Sequence, residues 1–179
     1  MHGFRRGRML VAMTVLVTYA SKHGATTEIA EALGRALDAY GIDADVVPAD
    51  EVDGVEGYDA VVLGSAVYMG RWLASALALV DAHEESLRER PTWLFSSGPL
   101  GDPPQPEPPD LSALVQRTGA RGHAVLPGRL SRDELSLGER AVVRMVKAPY
   151  GDFRDWEAVA GLADEVAREA GVAPVQSIT

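Results

Sequence analysis

Along the first half of the chain two hydrophobic periods take turns. Short unbroken apolar runs are followed by stretches whose apolar residues recur three and four apart. Residues 14–18 (Thr-Val-Leu-Val-Thr) form a continuous β-branched and aliphatic run, the pattern of a strand covered on both faces. Residues 27–40 then place Ile29, Ala30, Leu33, Ala36, Leu37 and Tyr40 on one helical face, with Gly41 as the stop. A second strand is predicted over 44–48 and a third over 60–63, the latter preceded by Tyr58-Asp59 and closed by Gly64-Ser65. The next helix turns Leu73, Leu77, Val80 and Leu87 inward and ends before Pro91, and 92–95 is a fourth strand. Such alternation predicts an α/β class of fold, a doubly wound five-stranded parallel sheet between two helical layers.

The second half is less regular. Six of the eleven prolines fall between Pro99 and Pro109, so 98–109 reads as an irregular, stiff loop. Asp110 is placed to cap a short helix through Thr118, and 123–126 is the fifth strand, broken at Pro127-Gly128. An insertion follows around 128–154, within which Ser136-Leu137-Gly138-Glu139 spells a capping box for a helix reaching about Lys147. A last helix starts after Asp155 and buries Val159, Ala163, Val166, Ala167 and Ala170.

Composition narrows the function. With 179 residues, 46% of them hydrophobic, the chain forms about one domain, expected over 13–173. There is no cysteine, which removes disulfides, thiol nucleophiles and cysteine-ligated metal centres, so a redox role needs an organic cofactor. The net charge of -9 argues against nucleic acid as a partner. Arg5-Arg6-Gly7-Arg8 before the apolar stretch 9–17 imitates a signal peptide, but cleavage after Ala20 would remove the first strand. Met13 is a natural alternative start, and 1–12 is expected to be a disordered extension.

In a doubly wound sheet, ligands sit outside the carboxyl ends of the strands near the point where the winding reverses. Three segments meet there: 21–27, 64–72 and 96–102. The first reads Ser21-Lys22-His23-Gly24-Ala25-Thr26-Thr27 directly between strand and helix. Hydroxyls, a flexible glycine and the first amides of a helix converge on one spot, where the helix dipole favours an anion such as a phosphate monoester. The bland alternative is a simple helix cap. The second segment exposes two aromatics, of which Tyr68 is the candidate to stack on a planar ligand and Trp72, at a helix start, the candidate to pack.

Other chemistries lack their residues. No G-x-G-x-x-G follows the first strand, although Asp50 lies near the ribose position of a dinucleotide site. The first and third strands end in Tyr19-Ala20-Ser21 and Leu63-Gly64-Ser65, without the clustered acids that a phosphoacceptor domain needs for Mg²⁺. His2, His23, His83 and His123 show no metal-ligand spacing, so no metal site is expected. Nothing marks Ser21 as an activated nucleophile, and no catalytic residue is assigned.

These features together resemble the flavodoxin family, whose loop after the first strand has the pattern S/T-x-T-G-x-T. The chain matches it at Ser21, Gly24 and Thr26, with His23 where a hydroxyl is usual and Ala25 where a small polar residue is common. Within the family, "TYASKHGAT", "VVLGSAVYMGRW" and "DWEAVAGLADEVARE" are most similar to the menaquinone-dependent protoporphyrinogen IX dehydrogenase branch. The resemblance implies FMN as cofactor. Its phosphate would be held by Ser21, Lys22, His23, Gly24, Ala25 and Thr26, one ring face flanked by Ala66, Val67 and Tyr68, and the pyrimidine edge lined by Ser97 and Gly98. It further implies an oxidoreductase passing electrons from a small reduced donor such as a porphyrinogen to a quinone. The alternative is an electron carrier that serves a redox partner protein and has no substrate of its own. The loop 96–109 holds no aromatic, which leaves one face of the ring open to a planar substrate. A cytoplasmic location is expected. Within 129–154 six basic residues face four acids, and Arg140, Arg144 and Lys147 recur at helical spacing. Val142, Met145 and Val146 lie elsewhere on the same helix, which is therefore amphipathic. Either its apolar residues pack on the domain with the basic ones solvated, or it makes a weak peripheral contact with the inner face of an anionic membrane.

Overall fold

The computed structural model describes residues 12–98 and 110–172; the expected extension and the proline-rich loop lie outside the described residues. Five strands run parallel in the order β2-β1-β3-β5-β6. They are β1 (Thr14–Ala20), β2 (Asp43–Pro48), β3 (Ala60–Tyr68), β5 (Thr92–Gly98) and β6 (Gly122–Pro127), and a short β4 (Arg71–Trp72) pairs antiparallel with β3. From β1 the chain winds outward to β2, then crosses back to β3, so the winding reverses beside the carboxyl ends of β1 and β3.

Strand alternation sorts the core into two layers. Val15, Val17, Trp93 and Phe95 face α1 (Ala25–Asp38) and α5 (Trp156–Glu169), packing on Ile29, Leu33, Leu37, Leu162 and Val166. Leu16, Leu63 and Leu94 face the other way, onto α2 (Ala74–Arg88) and α3 (Ser112–Thr118). Trp93 and Phe95 are fully buried. Each large side chain removed from water in this way contributes about 1.5–3 kcal/mol, which is why the central strands carry no charged residue.

Element types agree with the periodicity; several ends do not. The first helix starts at Ala25, two residues before the expected Thr27, because Gly24 at φ +81° turns the chain into it. Asp110 does cap, accepting from the Ser112 amide at 2.9 Å, but Leu111 takes the N-cap position. Leu73 likewise precedes α2 as its N-cap instead of lying inside it. In α5 the buried set includes Leu162, and Ala170 is the half-buried C-cap rather than a core residue.

The largest departure concerns 64–72. β3 continues through Tyr68 and folds back as a hairpin, with Val67 opposite Trp72 and Tyr68 opposite Arg71. Met69 and Gly70 both hold positive φ, 50° and 73°, as a primed turn requires. Ala66, Val67 and Tyr68 are therefore strand residues, as are Ser96, Ser97 and Gly98 at the end of β5. The insertion contains β7 (Arg129–Leu130), α4 (Leu137–Met145) and β8 (Gly151–Asp152), with β7 and β8 paired antiparallel. Its two ends are fastened to α1, since Arg129 and Arg154 both bind the Glu28 carboxylate.

Candidate cofactor site

The segment between β1 and α1 is shaped by local hydrogen bonding. Ser21 Oγ accepts from the Gly24 amide at 3.1 Å, closing a tight turn that delivers the chain to the helix in a left-handed step. No side chain caps α1. Its first-turn amides thus keep their donor capacity at the positive end of the helix dipole. Thr26 is buried in that first turn, and a Cβ added at Gly24 would meet nothing within 4 Å. The loop is an open cradle rather than a filled turn.

The cradle opens into a cavity of about 460 Å³, within the range of small-molecule sites. Of the expected binding residues, Ser21, Lys22, His23, Ala25, Thr26, Ala66, Val67, Tyr68, Ser97 and Gly98 all line it, whereas Gly24 shapes the loop from behind. Ser96 and the rim residues Met69 and Gly70 join them. The opposite wall was not anticipated from the sequence. It comes from the insertion, through Leu135, Glu139, Val142, Val143 and Val146. The amphipathic spacing of α4 was legible as a helix with an apolar face, but nothing local says which surface that face meets.

Lys22 links three parts of the site. Its ammonium lies 3.7 Å from the centre of the Tyr68 ring and 2.8 Å from Glu139 Oε1. His23 Nε2 is 3.1 Å from the same oxygen. Glu139 also completes the capping box, with Oε2 accepting from the Ser136 amide at 2.9 Å. The Lys22 contact, reinforced by that cap, pulls the Glu139 carboxyl from 4.5 down to about 2, and the carboxylate in turn raises the Lys22 ammonium. The linkage follows from these directions: a depressed carboxyl stabilises the closed arrangement above about pH 4.5 and loses that effect as pH falls toward 2. The tie therefore persists at neutral pH. One face of the Tyr68 ring is covered by Lys22, so stacking on that face requires Lys22 to swing aside.

Trp72 is a core residue. It is 5% exposed, and its indole nitrogen donates to Ser96 Oγ at 2.8 Å. Ser96 Oγ also lies 2.8 Å from His123 Nε2, and burial lowers the His123 pKa, so the neutral ring can accept the Ser96 hydroxyl proton. Ser65 Oγ similarly accepts from the Leu73 amide at 2.9 Å and positions the start of α2. Replacing Ser96 with Ala would strand the buried indole N–H. A loss of roughly 1–3 kcal/mol is expected in urea unfolding. An unchanged midpoint would mean the indole finds another acceptor.

A family model described as a flavodoxin domain matches residues 16–156, and the chain belongs to this family. Membership indicates a redox protein with a flavin cofactor. A protein of Escherichia coli K12 named protoporphyrinogen IX dehydrogenase [quinone] is 24% identical over 172 residues, covering 87% of this chain and 95% of that one. Among solved structures, a flavodoxin from the domain Archaea aligns with TM-score 0.59 and 18% identity, over 89% of this chain and 99% of that chain. Oxidised flavodoxin 2 from Bacillus cereus aligns with TM-score 0.61 and 20% identity, over 87% and 99% respectively. These structural likenesses bear on the fold.

The residues present suit a flavin phosphate. An anion already rests on Lys22 and His23 in the form of the Glu139 carboxylate, beside uncapped helix amides and an open space at Gly24. The remainder of the cavity is walled mainly by apolar side chains, as a planar heterocycle requires.

Proposed function

We propose that this chain is an FMN-dependent oxidoreductase that takes electrons from a small reduced donor of porphyrinogen type and passes them to a quinone. The observation that carries this reading is a single cavity running from the cradle at α1 to the ends of β3 and β5, with the apolar side of α4 as its far wall. Bound FMN would supply the electron-transfer chemistry. In this reading Ser21, Gly24, Ala25 and Thr26 hold the phosphate with the α1 amides, Lys22 adds charge and His23 a ring nitrogen, Ala66 to Tyr68 flank the ring, and Ser97 and Gly98 line its polar edge. Val142, Val143 and Val146 exclude water from the remaining space. Each turnover removes two electrons and two protons from the donor, and the quinone gains the same to become a quinol. No side chain is assigned as acid or base. Support for a dehydrogenase over a carrier comes from that extra wall and from the name of the Escherichia coli relative.

Titration calorimetry should show FMN binding more tightly than FAD, because the cradle suits a terminal phosphate monoester. Under anaerobic conditions a porphyrinogen should bleach the bound flavin and a menaquinone analogue should restore its colour. Reduction by protein donors alone would return the chain to the electron-carrier reading.

A cytoplasmic protein working at the inner face of a membrane would reach a lipid quinone. No helix among the described residues is long and apolar enough to cross a membrane. The basic set available for surface contact is smaller than the sequence suggested. Arg129 and Arg154 are spent on Glu28, Glu134 and Asp152, and Arg140 donates to the backbone oxygens of Arg132 and Leu135. Arg132, Arg144 and Lys147 remain exposed, the last two beside Met145, itself 75% exposed. Co-sedimentation with anionic but not neutral vesicles, abolished by Arg144→Glu with Lys147→Glu, is expected if this surface docks; no binding at low salt removes the membrane role.

A further inference from the structure

The two ends of the insertion and its middle are held very differently. The ends are fixed by Arg129 and Arg154 on Glu28 and by the Phe153 amide donating to the Gly128 carbonyl at 3.0 Å. Between them, α4 buries none of its residues. The Ser136 capping box and the Arg140 bonds stay within the insertion. Among the hydrogen bonds and ion pairs of the described residues, those from Glu139 to Lys22 and His23 are what tie α4 to the sheet domain. A helix with firm hinges, a poorly buried body and one electrostatic fastening has the construction of a lid.

The fastening also lies where an anionic ligand would compete for it. Glu139 reaches only the Lys22 and His23 side chains, and its other oxygen is committed to its own helix cap. A phosphate ester in the cradle gains those same two side chains together with the α1 amides and the hydroxyl of Thr26, which Glu139 does not touch. Lys22 supplies one full positive charge, so a carboxylate and a phosphate dianion crowded around it repel each other in a partly dry site. The phosphate has more partners and stays; the carboxylate leaves.

We propose that Glu139 is a phosphate-released latch: seating the phosphate of a flavin mononucleotide in the cradle frees α4 and opens the apolar half of the cavity to a second, planar ligand. This rests on the FMN reading given above. It couples the order of binding to the fold, cofactor first and substrate second, with Lys22 as the switching cation. Drawn from Glu139 to the phosphate, Lys22 leaves its place above Tyr68, and that ring face becomes accessible.

Hydrogen–deuterium exchange on the full chain, with FMN and riboflavin as paired probes, separates the phosphate from the ring. FMN should speed exchange across 137–147 while riboflavin leaves it unchanged or slows it. Glu139→Gln should exchange rapidly in that segment without ligand, and should bind FMN more tightly, on the order of threefold to tenfold, with a smaller gain for riboflavin, which lacks the phosphate. Ser136→Ala, which loosens the cap that also holds Glu139, should speed exchange and raise FMN affinity by less than Glu139→Gln does. If FMN binds but protects 137–147, or Glu139→Gln binds FMN no better than the parent, the latch is wrong. If neither flavin binds the parent chain, the FMN reading falls instead.

Discussion

Gly24→Val is expected to cost at least tenfold in FMN affinity and to destabilise the folded chain as well. Two effects combine. At φ +81° the backbone lies in the left-handed region, where an ordinary residue costs about 1–2 kcal/mol and a β-branched one more. The added side chain meets no protein atom within 4 Å, so it is not expelled by crowding; the backbone instead shifts out of the left-handed step and misaligns the α1 amides that the turn presents. Losing one charge-assisted hydrogen bond to a phosphate there is worth roughly 1.5–3 kcal/mol, or about tenfold or more in affinity. Gly24→Asn isolates the backbone's share, because asparagine tolerates this conformation far better but still carries a Cβ. Calorimetry with FMN and urea unfolding of both variants are the measurements. Unchanged FMN affinity in Gly24→Val would show that the cradle does not bind phosphate.

Gly64→Leu should damage the fold more than any change at the cavity surface. Gly64 sits at the middle of β3, and a Cβ there would lie 2.0–2.4 Å from ring carbons of Phe95. Phe95 is fully buried under α1 and α5 and has nowhere to go. Overpacking of this kind costs roughly 1–3 kcal/mol and occasionally more; with a ring as the obstacle, the upper end or failure to fold is the expected result. Gly64→Ala, with a single added carbon, should be destabilised in the same direction and remain soluble. Far-ultraviolet dichroism and urea midpoints decide it, and a Gly64→Ala midpoint equal to the parent's would mean that the strand pair can widen.

Neither effect follows from residue spacing. The run Val61 to Leu63 announces a buried strand, and Gly64 reads there as a strand end. It is in fact a contact point between adjacent strands, since β3 runs on to Tyr68. Hairpin extension was hidden because Gly64 and Ser65 interrupt the apolar run. The buried hydroxyls at the ends of β3 and β5 are explained only by partners outside their own strands, the Leu73 amide on Ser65 and the indole of Trp72 on Ser96.

The order of strands and helices, the absence of thiol chemistry, the capping box at Ser136 and the anion-ready loop at 21–27 were all determined by the sequence by itself. Each is local: periodicity, composition and turn residues act over a few positions, and burial on two faces leaves its mark in every strand. What only the tertiary structure decided is what α4 faces. A capping box and an apolar stripe make a helix wherever it lies, but they carry no address. The Glu28 anchors on Arg129 and Arg154 swing the insertion across the carboxyl ends of the strands, and only then does Glu139 meet Lys22 and His23. More than a hundred residues separate those partners along the chain. Long-range electrostatics, which no local pattern encodes, joined the loop between β1 and α1 to α4.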